Sequence, residues 1–329
     1  MHTRKGHRTP AENLMTRAPS PDDVPGSRAD YLLVIAAGVI FGTSFPAIKL
    51  AVGASGDVDP LLLTFLRLSI GAGSGLLFLL LRRRFALSVF RNPYVWLLGA
   101  LNTIGFDLQH LGQVYTTASK TALLVDVNVV FIAIFMVAVY RERMTWRKAL
   151  GIALGLGGVA VLTTRLDPTF LQQGEFVGDL LVFLAGVVWA VFVLDFKEMI
   201  DRGGDYLALS VGALTTTFLF SAIALPWARL SAPITGIGWV GIAWLGLVTT
   251  FPPIAIWARS IRVISPTVAA IMLLTEVAVA AALSILFFGE PFGVLFAVGG
   301  LLILAGIVVA SLGDRAPRRT EASGPGNSA

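Results

Sequence analysis

Residues 31–52 read YLLVIAAGVIFGTSFPAIKLAV, an apolar run broken by one charge, Lys49. A helix needs roughly 20 mainly apolar residues to cross a hydrocarbon core of about 30 Å. Nine further stretches of this kind follow, near 60–81, 94–115, 119–140, 148–164, 177–199, 206–228, 237–257, 265–288 and 291–312. They lack period-two alternation and are too long for barrel strands, so the expected fold is all-α and integral to a membrane. Composition agrees: 56% of residues are hydrophobic and 14% charged, where a soluble domain carries about 25% charged residues. No cysteine is present, which excludes disulfides and thiolate chemistry. Two of the three histidines, His2 and His7, lie in a polar tail, so no metal centre is expected.

Orientation follows from the basic residues. With the N-terminus inside, about twenty Lys and Arg residues fall on the cytoplasmic side, among them Arg82, Arg83, Arg84, Arg147, Arg202 and Arg259. The outer segments hold only Lys120, Arg165 and Arg229. Both termini are therefore expected in the cytoplasm, and the excess of positive charge reads as topology with attraction to anionic lipid, not as nucleic-acid binding. The polar segments 1–30 and 313–329 read as disordered tails.

The first run also contains half of an internal repeat. An offset of 148 residues sets Ala37-Gly38-Val39 on Ala185-Gly186-Val187, Lys49 on Lys197, Glu142 on Glu290 and Gly158 on Gly306. The Ser119 and Ser265 motifs align at 146 instead. Units spanning 31–164 and 177–312 each hold five predicted helices, an odd number, so the second enters from the opposite face. Ten helices in two inverted repeats are the expected architecture, a plan that secondary transporters use to place substrates near the midplane.

The chain resembles the EamA family of the drug/metabolite transporter superfamily. The likeness lies in residues 41–49 (FGTSFPAIK) and 64–67 (TFLR). It continues in 116–122 (TTASKTA), 141–145 (RERMT), 264–270 (ISPTVAA) and 288–291 (FGEP). It implies ten helices, alternating access, and export or import of metabolites, amino acids or drugs in a bacterial cytoplasmic membrane. The fourth helix departs from the pattern in carrying Asp126 and Asn128.

Ionisable groups inside a bilayer are costly and usually face a cavity or a partner. Glu276 ranks first: it lies near the midplane, and the offset pairs it with Asn128 on the fourth helix. Its carboxyl suits a substrate amine or a coupling proton; a helix-to-helix hydrogen bond is the alternative. Asp107 and His110 share a helix face at a spacing that permits a proton relay or a fixed internal bond. Asp126 falls two turns inside its helix and is a second route-lining candidate. Arg67 and Lys49 neutralise these acids, snorkel, or contact an anionic substrate. Trp189 reads as an interface anchor or a cavity wall. Pro46 and Pro252-Pro253 should kink their helices. Glu142 and Glu290 read as turn and capping residues for the helices that follow them. Glycines 71, 73, 75, 151, 155, 158, 299, 300 and 306 read as sites of close helix approach, with a homodimer face as the second reading.

The expected function is secondary transport of a small organic solute, export favoured, with protons as the coupling ion if transport is coupled. A membrane-embedded enzyme or a structural membrane protein are the alternatives. No catalytic residue, metal or cofactor is expected, and no GxxxxGK[ST] loop is present for ATP-driven transport.

Overall fold

The computed structural model describes residues 28–53, 57–139, 141, 144–167, 169, 174–229, 233–260, 272–290 and 292–312. The two tails up to residue 27 and from 313, the 264–270 motif, Glu142, Arg143 and Arg262 lie outside the described residues.

Every regular element among the described residues is helical. In order these are α1 (Arg28–Gly42), α2 (Ser44–Val52), α3 (Pro60–Leu81), α4 (Pro93–Tyr115), α5 (Ala118–Val125), α6 (Asn128–Ala138) and α7 (Trp146–Thr164). They continue as α8 (Gly174–Asp201), α9 (Tyr206–Ala224), α10 (Gly236–Leu247), α11 (Phe251–Ser260), α12 (Thr275–Phe288) and α13 (Val294–Leu312). The starts are written locally. Asp59, Asn92, Thr117, Thr145, Asp205 and Thr235 each accept a backbone N–H of the first turn, satisfying a donor that the helix itself leaves free. Pro60 and Pro93 sit where their missing N–H costs nothing.

Seven helical stretches among the described residues are long and apolar enough to cross a membrane, with two shorter apolar helices, Thr275–Phe288 and Val294–Val309, besides. The 23-residue α4 is long enough but carries Asn102, Thr103, Asp107, Gln109, His110 and Gln113.

Three of the predicted helices are interrupted, and a fourth, the ninth, turns at Leu274 just inside its described part. The first breaks at Thr43, three residues before Pro46, and the eighth breaks at Val248–Thr250 just ahead of Pro252 and Pro253. Proline removes the N–H that would bond four residues back, and this is the local cause in both. The other two breaks have no proline. The fourth helix divides at Asp126–Val127, where Val129 N–H donates to Asp126 O at 3.2 Å. The ninth turns at Leu274, where Val277 N–H donates to Leu274 O, again at 3.2 Å. These two bonds fall at positions related by the 148-residue offset.

The same offset relates the glycines packed on these breaks. A Cβ on Gly186 of α8 would sit 3.0 Å from the carbonyl oxygens of Leu124 and Val125. A Cβ on Gly38 of α1 would collide with the Thr275 hydroxyl, and one on Gly42 would lie 2.6 Å from Glu276 O. The repeated Ala-Gly-Val therefore marks the two places where a helix lets a broken neighbour approach its backbone. A further offset pair closes the far side of the bundle: Gly158 of α7 packs on Gly299 and Ile303, and Gly306 of α13 packs on Gly151 and Gly155. Gly73, expected among these contacts, faces open space instead.

Overpacking at such a contact costs about 1–3 kcal/mol. Gly186→Val and Gly38→Val are expected to lower thermal stability in detergent by that order, while Gly73→Val leaves it unchanged; thermal unfolding of the three variants checks this.

Candidate functional site

A cavity of about 290 Å³ lies where the interrupted helices meet. Arg67, Asn102, Gln109, Asp126, Asn128, Trp189 and Glu276 line it, together with an aromatic wall that includes Phe41, Phe106, Phe192 and Trp257. Lys197 lines it near the C-terminal end of α8. Of the residues singled out from the sequence, Glu276, Asn128, Asp126, Arg67 and Trp189 thus meet in one space, and Asp107, His110 and Lys49 do not line it.

Asp126 and Glu276 sit at the two offset-related breaks, and their carboxyl groups face each other closely enough to interact. Both are buried. The Asp126 Oδ2 atom is buried without a hydrogen-bond partner.

Arg67 is 3% exposed. Its Nε donates to Thr250 Oγ1 at 3.1 Å and Nη2 to Thr249 O at 3.4 Å. That carbonyl is one that Pro253 cannot engage, because proline at the position four residues on has no N–H. Nη1 lies 3.3 Å from His110 Nε2. Arginine only donates, so Nε2 accepts and the imidazole proton is on Nδ1, directed at Thr64 Oγ1 2.8 Å away. His110 is thereby a neutral positioning group for Arg67. It makes no direct bond to Asp107, which instead lies beside Thr64 with its Oδ1 buried and unpartnered.

Beneath Arg67 the Phe106 ring receives the guanidinium at 4.6 Å and packs edge-on to Trp189 at 5.4 Å. Trp189 is fixed in turn, its Nε1–H donating to Asn102 Oδ1 at 3.1 Å while Asn102 Nδ2 donates to Thr217 Oγ1 at 3.2 Å. A Cβ at Gly105 would lie 2.6 Å from the indole nitrogen, so a glycine is required for the ring to lie there.

One end of the bundle is tied by polar contacts. Lys49 Nζ donates to the carbonyls of Thr116 and Gln113 at 2.8 and 3.3 Å, closing the C-terminal end of α4. Lys120, counted from the sequence among the few outer-side cations, is buried and pairs with Asp179 at 2.5 Å and Glu175 at 3.3 Å. Glu290, expected to cap the helix that follows it, caps α5 of the first half among the described residues, accepting from Ala118 N, Ser119 N and Ser119 Oγ at 2.8, 3.1 and 2.6 Å. None of these residues lines the cavity.

Sequence reasoning missed Asn102, Phe106, Asp179 and the Thr249–Thr250 turn. Asn102 carried a signal as an isolated amide in an apolar helix, and Asp179 as an acid inside the sixth predicted span; Phe106 and the Thr249–Thr250 turn lie among residues that any membrane helix uses.

Several membrane-length helices around a largely apolar cavity that carries a few charged and amide side chains define a multi-pass membrane protein. The sequence profile of the EamA-like transporter family matches residues 29–164 and again residues 176–312, and the chain belongs to that family. A relative from Streptantibioticus cattleyicolor, described as a probable terminal-alkyne amino-acid exporter, is 26% identical over 91% of this chain and 98% of its own. An uncharacterized transporter of Bacillus subtilis, YyaM, is 23% identical over 88% of this chain and 95% of its own. A solved crystal structure, 21% identical, shares the fold with a TM-score of 0.62 over 88% of this chain and 99% of that one.

Asn102→Ala removes the acceptor of the Trp189 N–H and the donor to Thr217, a loss of about 1 kcal/mol for each hydrogen bond. Its melting temperature in detergent is expected to fall accordingly, and Asn102→Gln to recover part of it.

Proposed function

We propose that this chain is a secondary transporter that carries a small organic solute across the bacterial cytoplasmic membrane by alternating access. Ten spans form two inverted five-helix repeats, 31–164 and 177–312, with both termini and their tails in the cytoplasm. The seven longest apolar stretches, the two shorter ones and α4 supply the ten. On this topology the Lys120–Asp179 and Glu290–Ser119 contacts lie at the outer end, and the cavity runs from Arg67 towards Lys197 and Trp257 at the inner end. That arrangement is an inward-facing state, closed outside.

The observation that carries the reading is the meeting of Asp126 and Glu276 at corresponding breaks of the fourth and ninth helices, inside the cavity. Interrupted helices at equivalent positions of two repeats are where transporters bind solute and coupling ion. Two buried carboxyls facing each other repel when both are ionised, so the pair suits the capture of one proton. Proton entry then exchanges for solute exit. Export is favoured also by the name of the Streptantibioticus cattleyicolor relative, which makes amino-acid-like solutes the first to try.

Right-side-out vesicles loaded with a labelled solute test the coupling. Efflux is expected to quicken several-fold when the outside is made acidic, and Glu276→Gln or Asp126→Asn to abolish that response. Undiminished acid stimulation in both variants would sink the proton assignment. Because the chain has no cysteine, single cysteines report topology directly. Arg229→Cys is expected to react with an impermeant maleimide from outside, and Arg84→Cys only after the membrane is opened.

A further inference from the structure

Among the described residues Arg67 makes its polar contacts only with neutral groups. Its partners are the Thr250 hydroxyl, the Thr249 carbonyl, the neutral ring of His110 and the face of Phe106. No carboxylate forms an ion pair with it among the described residues, although Asp107, Asp126 and Glu276 all belong to the same region of the bundle. A cation removed from water without a counter-charge is strongly unfavourable, and within a membrane such a group marks a binding position.

The guanidinium has five N–H donors. Three are directed at Thr250, Thr249 and His110, which leaves one on each terminal nitrogen. A carboxylate can accept from both terminal nitrogens at once. The support behind the group is rigid: a carbonyl freed by Pro253, a histidine fixed by Thr64, and a phenylalanine held by Trp189 and, through it, by Asn102 and Thr217. Such anchoring holds the two remaining donors in place in the cavity wall before any ligand arrives, which lowers the ordering cost of binding.

We propose that Arg67 is the receptor for an anionic group of the solute, a carboxylate held by both terminal nitrogens, and that the solute's apolar body lies along the aromatic wall. The inference rests on the central cavity being the transport site and names the class of solute it takes, organic carboxylates with an apolar body. A solute that also bears an ammonium group finds its second partner in Asp126 and Glu276, on the same cavity's wall. The solute thus supplies the counter-charge that the protein withholds.

Binding to the full-length protein in detergent, followed by thermal shift and titration calorimetry, tests the assignment with three probes of one shape: 3-phenylpropanoate, 3-phenylpropanamide and phenylalanine. The two acids are expected to bind at least roughly tenfold more tightly than the neutral amide, the scale of one charge-assisted bidentate contact. Arg67→Gln is expected to erase that preference and Arg67→Lys to keep part of it. An amide that binds as well as the acids, no binding by either acid, or a folded Arg67→Gln variant that still prefers the acids overturns the proposal. If Arg67→Gln does not fold, the acid-to-amide comparison on the unaltered protein decides alone. Vesicle flux separates this result from the transport reading. Acid-selective binding at Arg67 without flux upholds the receptor and defeats transport, whereas flux of solutes lacking an anion defeats the receptor and leaves transport standing.

Discussion

A helix broken inside hydrocarbon exposes backbone groups that no water can reach, and each must find a partner within the protein. The architecture around the cavity is organised by this requirement. Where proline breaks the eighth helix, Arg67 donates to the Thr249 carbonyl, and the threonine hydroxyls at 249 and 250 turn back onto Leu245 O. Where the fourth and ninth helices turn without proline, glycines on α8 and α1 admit the exposed backbone at van der Waals distance. The breaks are therefore tolerated only because specific residues elsewhere in the chain complete them.

Those completing residues come largely from the other half of the molecule. Gly186 serves the break at Asp126, and Gly38 and Gly42 serve the one at Leu274. Glu290, from the second half, satisfies the first amides of α5 in the first. Neither half can present its polar residues to the cavity without the other, so the site is a property of the pair. A rearrangement of one half against the other would alter the glycine contacts and the cap together, coupling the shape of the cavity to the closure of the bundle's end.

Within that frame the charged groups divide by how they are satisfied. Lys49 is taken up by carbonyls at a helix end, and Lys120 by Asp179 and Glu175. These cations are complete. Arg67, Asp126 and Glu276 are not completed by opposite charge, and all three line the cavity. Asp107, likewise with a buried, unpartnered oxygen, lies outside the cavity, so capacity to bind is set by incomplete charge and position in the cavity together.

The sequence alone reveals the all-helical membrane class, its long apolar stretches and the 148-residue correspondence between halves, because hydrocarbon thickness and backbone satisfaction restrict a spanning chain to long apolar helices. It also marked Glu276, Asp126 and Arg67 as exceptional, since charge in such a helix is conspicuous against its neighbours. Tertiary structure alone decided what each of them meets. The breaks at Asp126 and Leu274 contain no proline and are accommodated by close packing on Gly186 and Gly38, so no proline announces them. Glu290 finds its helix 172 residues away, and Lys120 its acid across 59. Contacts of that range depend on how helices cross, which residue type and spacing along one helix do not encode.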